Sequence, residues 1–178
     1  MSENSLEPHR AGITGDALPE LPRSNLYLVL DNIRSAFNVG ALFRTADACA
    51  TTKIFLLGLT PHPPQKQLEK TALGSTNYVP WVHSPTTSSV VEELEDEGVT
   101  LIALDNGPGA VSLFDFHWPE KVALIAGNEV QGVSDEWLSL ADRKVYIPMF
   151  GFKRSLNVTT TLGIAMYDYL RTFRGGQG

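Results

Sequence analysis

The sequence predicts one α/β domain: a single, mainly parallel sheet with helices on both faces. Three observations carry this expectation. Short, continuous apolar runs recur along the chain, stretches with helical spacing separate them, and polar or glycine-containing turns follow the runs directly. A chain of 178 residues, 43% of them apolar, suits one compact core.

Residues 1–24 hold Gly12, Gly15, Pro19 and Pro22 among polar side chains without a sustained period, so they read as an irregular extension ahead of a domain over residues 25–178. Residues 26–30 are an apolar run fit for a buried strand, residues 36–50 have helical spacing, and residues 53–57 are again strand-like, which makes a βαβ unit. The prolines between residues 61 and 64 demand a loop, residues 78–82 suit a further strand, and residues 86–98 a helix that Gly98 can end. Residues 99–104 and 122–126 are runs of the kind found in strands covered on both faces. Ser134 is placed to cap a helix reaching residue 141, with Asp135 and Glu136 at its positive end. Residues 145–149 form the last expected strand and 156–173 the closing helix.

The net charge of −6 argues against a protein that coats nucleic acid indiscriminately. Glu92, Glu93, Glu95, Asp96 and Glu97 account for most of that excess and read as a solvated helix face, which leaves room for a basic surface elsewhere. Cys49 is the single cysteine, so an intrachain disulfide is excluded; His9, His62, His83 and His117 are scattered, and no metal is expected. No apolar run nears the ~20 residues that span a bilayer, and the start of the chain is polar and acidic. The expectation is therefore a soluble, cytoplasmic protein with no membrane partner.

An open α/β sheet places its ligand site beyond the carboxyl ends of the strands. Three segments there hold chemistry. The first runs from Asp31 through Asn38 and Arg44; these last two differ by about 240° on a helix, so serving one site requires Asn38 at the helix start with Arg44 reaching round. The second is Gly127-Asn128-Glu129-Val130-Gln131-Gly132, where two glycines around an acid let backbone approach a ligand. The third, from Ile147 to Asn157, carries Gly151, Lys153, Arg154, Ser155 and Leu156 into the start of a helix, a setting that favours anions. Singly each has an ordinary alternative: Asn38 as a cap, Arg44 in a surface ion pair, Glu129 against a helix dipole, Ser155 or Asn157 on local backbone donors. Gly107-Pro108-Gly109 lacks the third glycine of a dinucleotide fingerprint and reads as a turn.

Together and in this order, residues 38–46 (N-V-G-A-L-F-R-T-A), 127–132 (G-N-E-V-Q-G) and 147–158 (I-P-M-F-G-F-K-R-S-L-N-V) resemble the three motifs of the SpoU family, the RNA 2'-O-ribose methyltransferases of the SPOUT superfamily. The resemblance covers about residues 25–174. It implies a C-terminal deep trefoil knot whose loops hold S-adenosylmethionine, with contacts at Gly127, Ile147 and Leu156 and neighbours from Leu104 to Asn106. It also implies a homodimer with the site near the subunit boundary, and tRNA or rRNA as substrate. Arg44 then stands where the family activates the 2'-hydroxyl. A guanidinium, which keeps its proton throughout the range in which proteins work, is better suited to stabilising the developing alkoxide and clamping a phosphate than to removing a proton. Asn38, Ser155 and Asn157 would orient Arg44 and the ribose, and Glu129 would order the loop or a partner-subunit contact.

Competing readings are methylation of a base nitrogen, a noncatalytic RNA-binding module of the same fold, and a nucleotide-dependent oxidoreductase. The absent glycine fingerprint opposes the last. Many family members carry a separate RNA-binding domain ahead of this one, so the choice of target does not transfer. RNA affinity is expected from a combined basic surface that includes Arg23, Arg34, Lys66, Lys70, Lys153 and Arg154.

Overall fold

In the computed structural model, which describes residues 22–84 and 86–174, seven strands alternate with five helices: β1 (Ser24–Asp31), α1 (Ala36–Ala48), β2 (Thr51–Leu57), α2 (Lys66–Ala72), β3 (Trp81–Ser84), α3 (Thr87–Asp96), β4 (Thr100–Leu104), β5 (Val111–Ser112), β6 (Val122–Gly127), α4 (Asp135–Leu140), β7 (Arg143–Tyr146) and α5 (Val158–Arg174). Of the expected extension, residues 1–21 lie outside the described residues.

The strands form one sheet in the order β3-β2-β1-β6-β4-β7-β5, and every pairing is parallel. Strand β1 shows why. Leu26, Leu28 and Leu30 enter one core while Tyr27 and Val29 enter the other, so this strand must be covered on both faces. The first core joins the sheet to α1, α2 and α5 through residues such as Phe43, Leu68 and Met166; the second joins it to α3 and α4 through Val90, Leu94 and Trp137. Three layers result.

One unforeseen helix and three shifted boundaries are the main departures from the sequence expectation. Helix α2 was not foreseen, because only Leu68 and Ala72 of its seven residues are buried and two apolar positions give no visible period. Strand β3 begins at Trp81, since Tyr78 and Val79 complete a turn whose N–H groups bond to Ser75 O. Strand β7 stops at Tyr146; Pro148 has no N–H for a ladder, and Ile147 and Met149 line a cleft instead. Helix α5 starts at Val158 because the Asn157 side chain accepts the Thr159 N–H at 2.8 Å, the contact of an N-cap. Ser134 does stand at the N-cap of α4, but its hydroxyl makes no cap bond; its own N–H donates to Asp31 at 2.9 Å.

Gly40 sets how closely α1 meets α2. A Cβ there would lie 2.0 Å from Thr71 Oγ1 and 2.4 Å from Leu68 O. Gly40→Ala should therefore lower stability by about 2 kcal/mol through overpacking, despite an intrinsic helix advantage of about 1 kcal/mol. A urea midpoint equal to or above that of the unaltered chain would show that the helices separate freely.

Candidate active site

The carboxyl ends of β4, β6 and β7 open into a cleft of about 910 Å³. Its wall contains Leu104, Asn106, Gly127, Ile147 and Leu156, together with Glu129, Ser155 and Asn157. Segments more than fifty residues apart in sequence thus converge because parallel strands deliver all their following loops to one edge.

The β6 loop folds back on itself. Gly132 N–H donates to Asn128 O at 2.8 Å, and a Cβ on Gly127 would stand 2.0 Å from Gly132 O. The Asn128 side chain accepts the Val130 and Gln131 N–H groups and donates to Asn32 O at 3.0 Å. Asn32 sits in the left-handed region at φ 55°, a conformation asparagine tolerates, and its side chain also bonds Asp31 and Leu59 N–H. The buried Asp31 carboxylate takes the Ser134 N–H. Two consecutive residues at the end of β1 therefore tie together the loops after β1, β2 and β6.

Glu129 reaches from the β6 loop to the N-terminus of α1, where it accepts the Arg34 N–H at 3.0 Å, the Ser35 N–H at 3.2 Å and the Asn38 side-chain amide at 3.1 Å. Helix α1 has no acidic residue in its own first turn, so this carboxylate complements its positive end. Ser35, not Asn38, is the cap: its hydroxyl accepts the Asn38 N–H. Asn38 in turn faces Asn157, whose amide donates to Asn38 Oδ1 at 3.4 Å. Glu129, Asn38 and Asn157 form one chain of contacts along the cleft.

Partial burial alone would raise the Glu129 carboxyl, but the Arg34 N–H, its own N–H, the Asn38 amide and the Ser35 N–H outweigh that and hold it below the usual carboxylate value. A carboxylate depressed on folding stabilises the fold above its unfolded value, and this contribution disappears as pH falls through the lowered one. Glu129→Gln should accordingly lower Tm by about 1–3 °C at pH 7, with the difference shrinking once pH falls below the ordinary glutamate range. A difference that is unchanged between pH 7 and pH 3 would count against the charge.

Residues 25–167 match the SpoU rRNA Methylase family. This chain belongs to that family. It is 30% identical over 156 residues to the 23S rRNA (guanosine-2'-O-)-methyltransferase RlmB of Neisseria meningitidis, covering 88% of this chain and 62% of that one. Among solved structures it is similar to the SpoU methyltransferase AviRb from Streptomyces viridochromogenes in complex with the cofactor AdoMet, with a TM-score of 0.80, 27% identity, and coverage of 88% of this chain and 63% of that chain. In both, the chain spans a little under two thirds of the relative. A third likeness, to a structure concerned with 2-OH methylation of C/U34 on tRNA, has a TM-score of 0.76 at 28% identity and covers 84% of this chain and 97% of that one.

Within the SpoU chain, one residue singled out by sequence stays apart. Arg44 is exposed on α1, does not line the cleft, and its side chain makes no hydrogen bond or ion pair among the described residues. Ser155 and Asn106 are exposed on the cleft wall, as are Lys153 and Arg154. Arg23 is exposed and donates to Thr51 O and Tyr78 O, neutral acceptors that orient its guanidinium and leave its charge in place. Sequence reasoning quoted Asp31, Asn32 and Asn128 without assigning them work. The available signal was a polar pair directly after a buried strand, with asparagine suited to a left-handed turn. Among the described residues no group of three or more His, Cys, Asp or Glu could hold a metal, and no helix is long and apolar enough to cross a membrane.

Proposed function

We propose that this chain transfers a methyl group from S-adenosylmethionine to a ribose 2'-hydroxyl of structured tRNA or rRNA in the cytoplasm. The observation that carries the reading is the cleft itself, which the second and third family motifs line and to which Asn38 of the first is joined through Glu129 and Asn157. A volume of about 910 Å³ suits a cofactor of this size. Its wall offers apolar surface from Leu104, Ile147 and Leu156, close backbone from residues 127–132, and the Asp105 carboxylate. These groups would hold the adenosine and the cationic end of S-adenosylmethionine, which supplies an electrophilic methyl group when bound.

The protein's own residues do the rest. Lys153 and Arg154 on the rim meet phosphates of the incoming RNA. Asn38 and Asn157 orient the ribose, while Glu129 holds Asn38 from behind and keeps α1 fixed to the β6 loop. Arg44 stabilises negative charge as it develops on the 2'-oxygen, whose proton passes to solvent. Since Arg44 lies outside its own chain's cleft, we assign it to the site through a second copy, in a homodimer formed across α1 and α5. Exposed Phe37 (50%) on α1 and Tyr167 (56%) on α5 support that surface. The threaded C-terminal path belongs to the same reading: β7 enters between β4 and β5, after which residues 147–157 follow the cleft before α5 packs on α1.

Two measurements test the reading. Calorimetric titration should give saturable binding of S-adenosylmethionine and none of a nicotinamide dinucleotide. Incubation with label-bearing methyl donor and unmodified tRNA or rRNA should then place the label on a nucleotide whose 3' phosphodiester resists alkali. Label on a base atom would overturn the ribose assignment.

A further inference from the structure

The loop after β2 and the edge strand β3 carry a feature that the methyl-transfer chemistry does not use. Trp81 and His83 are two apart on β3 and so share one face of the strand. His62, from the loop after β2, lies against both: its ring is 4.3 Å from His83 and 6.3 Å from Trp81 between centroids, at interplanar angles of 33° and 25°. Trp81 is anchored from below by an edge contact with Phe43 of the core. His62 Nδ1 is 2.9 Å from Pro63 O and His83 Nε2 is 3.1 Å from Gly58 O, so each imidazole spends a ring N–H on a carbonyl and is held in orientation. The outermost ring, His62, is exposed.

The His62 and His83 rings border a groove of about 430 Å³ running from Gly58 to Gln65, and none of its lining residues is acidic. Exposed Leu59 (82%) stands in it, and α2 follows with Lys66 and Lys70, exposed and four apart on one helix face. Flat ring faces flanked by cations and free of carboxylates match an unpaired nucleobase with its phosphates. The groove is also on the same side of the sheet as the candidate active site. Both lie at the carboxyl edge of the sheet, separated by the strand steps β3-β2-β1-β6, or about 14 Å. Asn32 bridges them, taking the Leu59 N–H on its side chain and the Asn128 amide on its carbonyl.

We propose that His62, backed by Trp81 and His83, is a stacking subsite for an unpaired base of the RNA strand, a few nucleotides from the methylated ribose, with Lys66 and Lys70 on the adjoining phosphates. The proposal rests on the methyltransferase reading for the identity of its ligand. It adds a determinant of target choice outside the cleft.

The test uses an oligo(A) hexanucleotide and an abasic hexamer of equal phosphate charge. Trp81 is the half-buried tryptophan and the other two, Trp118 and Trp137, are buried at 8% and 0%, so quenching of tryptophan emission reports on the shelf. Oligo(A) should quench emission and bind more tightly than the abasic hexamer. His62→Ala should weaken that binding roughly 5- to 150-fold, and His62→Phe should restore it. Equal affinity for the abasic hexamer, no quenching, or unaltered binding by His62→Ala would each overturn the subsite. S-adenosylmethionine titrated into the same proteins should bind alike. A wild-type chain that bound oligo(A) as described but no S-adenosylmethionine would refute the methyltransferase and leave the shelf standing.

Discussion

Arg44→Ala is expected to lower methyl transfer by roughly 10²- to 10³-fold while S-adenosylmethionine affinity and Tm stay as they are. The structural ground is the isolation of this residue. The Arg44 side chain is exposed and bonded to nothing among the described residues, so its removal leaves no orphaned partner and costs little stability. Its contribution is confined to charge that appears only during reaction, which places the loss in kcat. Arg44→Lys should recover only part of the rate, because an ammonium keeps the charge but not the planar fork that meets a ribose oxygen and its phosphate together. Unchanged RNA methylation by Arg44→Ala would remove Arg44 from the mechanism.

The second large effect is at Gly127. Even a methyl group there would meet Gly132 O at 2.0 Å, Gly132 C at 2.2 Å and Val133 N at 2.3 Å, all backbone atoms that cannot rotate aside. The β6 loop must open to accept it. Gly127→Ala should abolish measurable S-adenosylmethionine binding and lower stability by on the order of 3 kcal/mol, since the loop also anchors Asn128 to Asn32 and Glu129 to α1. Calorimetry and thermal unfolding read the two consequences separately. Wild-type affinity in this variant would mean that the loop is not the cofactor's cradle. The two variants also test the assembly: if Arg44 serves the cleft of a second copy, mixing inactive Arg44→Ala and Gly127→Ala chains should recover about a quarter of the wild-type activity, whereas a site made within one chain recovers none.

The parts of the fold legible in sequence are those with strong local signals. β1, β2, β4 and β6 are continuous apolar runs, and a run that is apolar on both faces has few structures open to it other than an interior parallel strand. Helix α1 announces itself by its period. What stayed hidden has weak local signal: α2 buries two side chains, and β5 is two residues long and paired only with β7. The end of β7 was misjudged for a different reason. Residues 147–149 are apolar because they line a cleft, and burial by a site is indistinguishable in one dimension from burial in a sheet.

The candidate site divides in the same way. By itself the sequence determined the sheet, its carboxyl edge as the place for chemistry, and the three motif segments, since strand pattern and glycine placement are properties of neighbours along the chain. Only the tertiary structure decided that Glu129 meets the N-terminus of α1 from ninety-odd residues away, that Asn38 meets Asn157, that Asp31 and Asn32 bind three loops together, and that Arg44 does not line its own cleft. The physical reason is that a hydrogen bond depends on angles and on distances of about 3 Å. Those are set by how layers pack, and no periodicity in the chain encodes them.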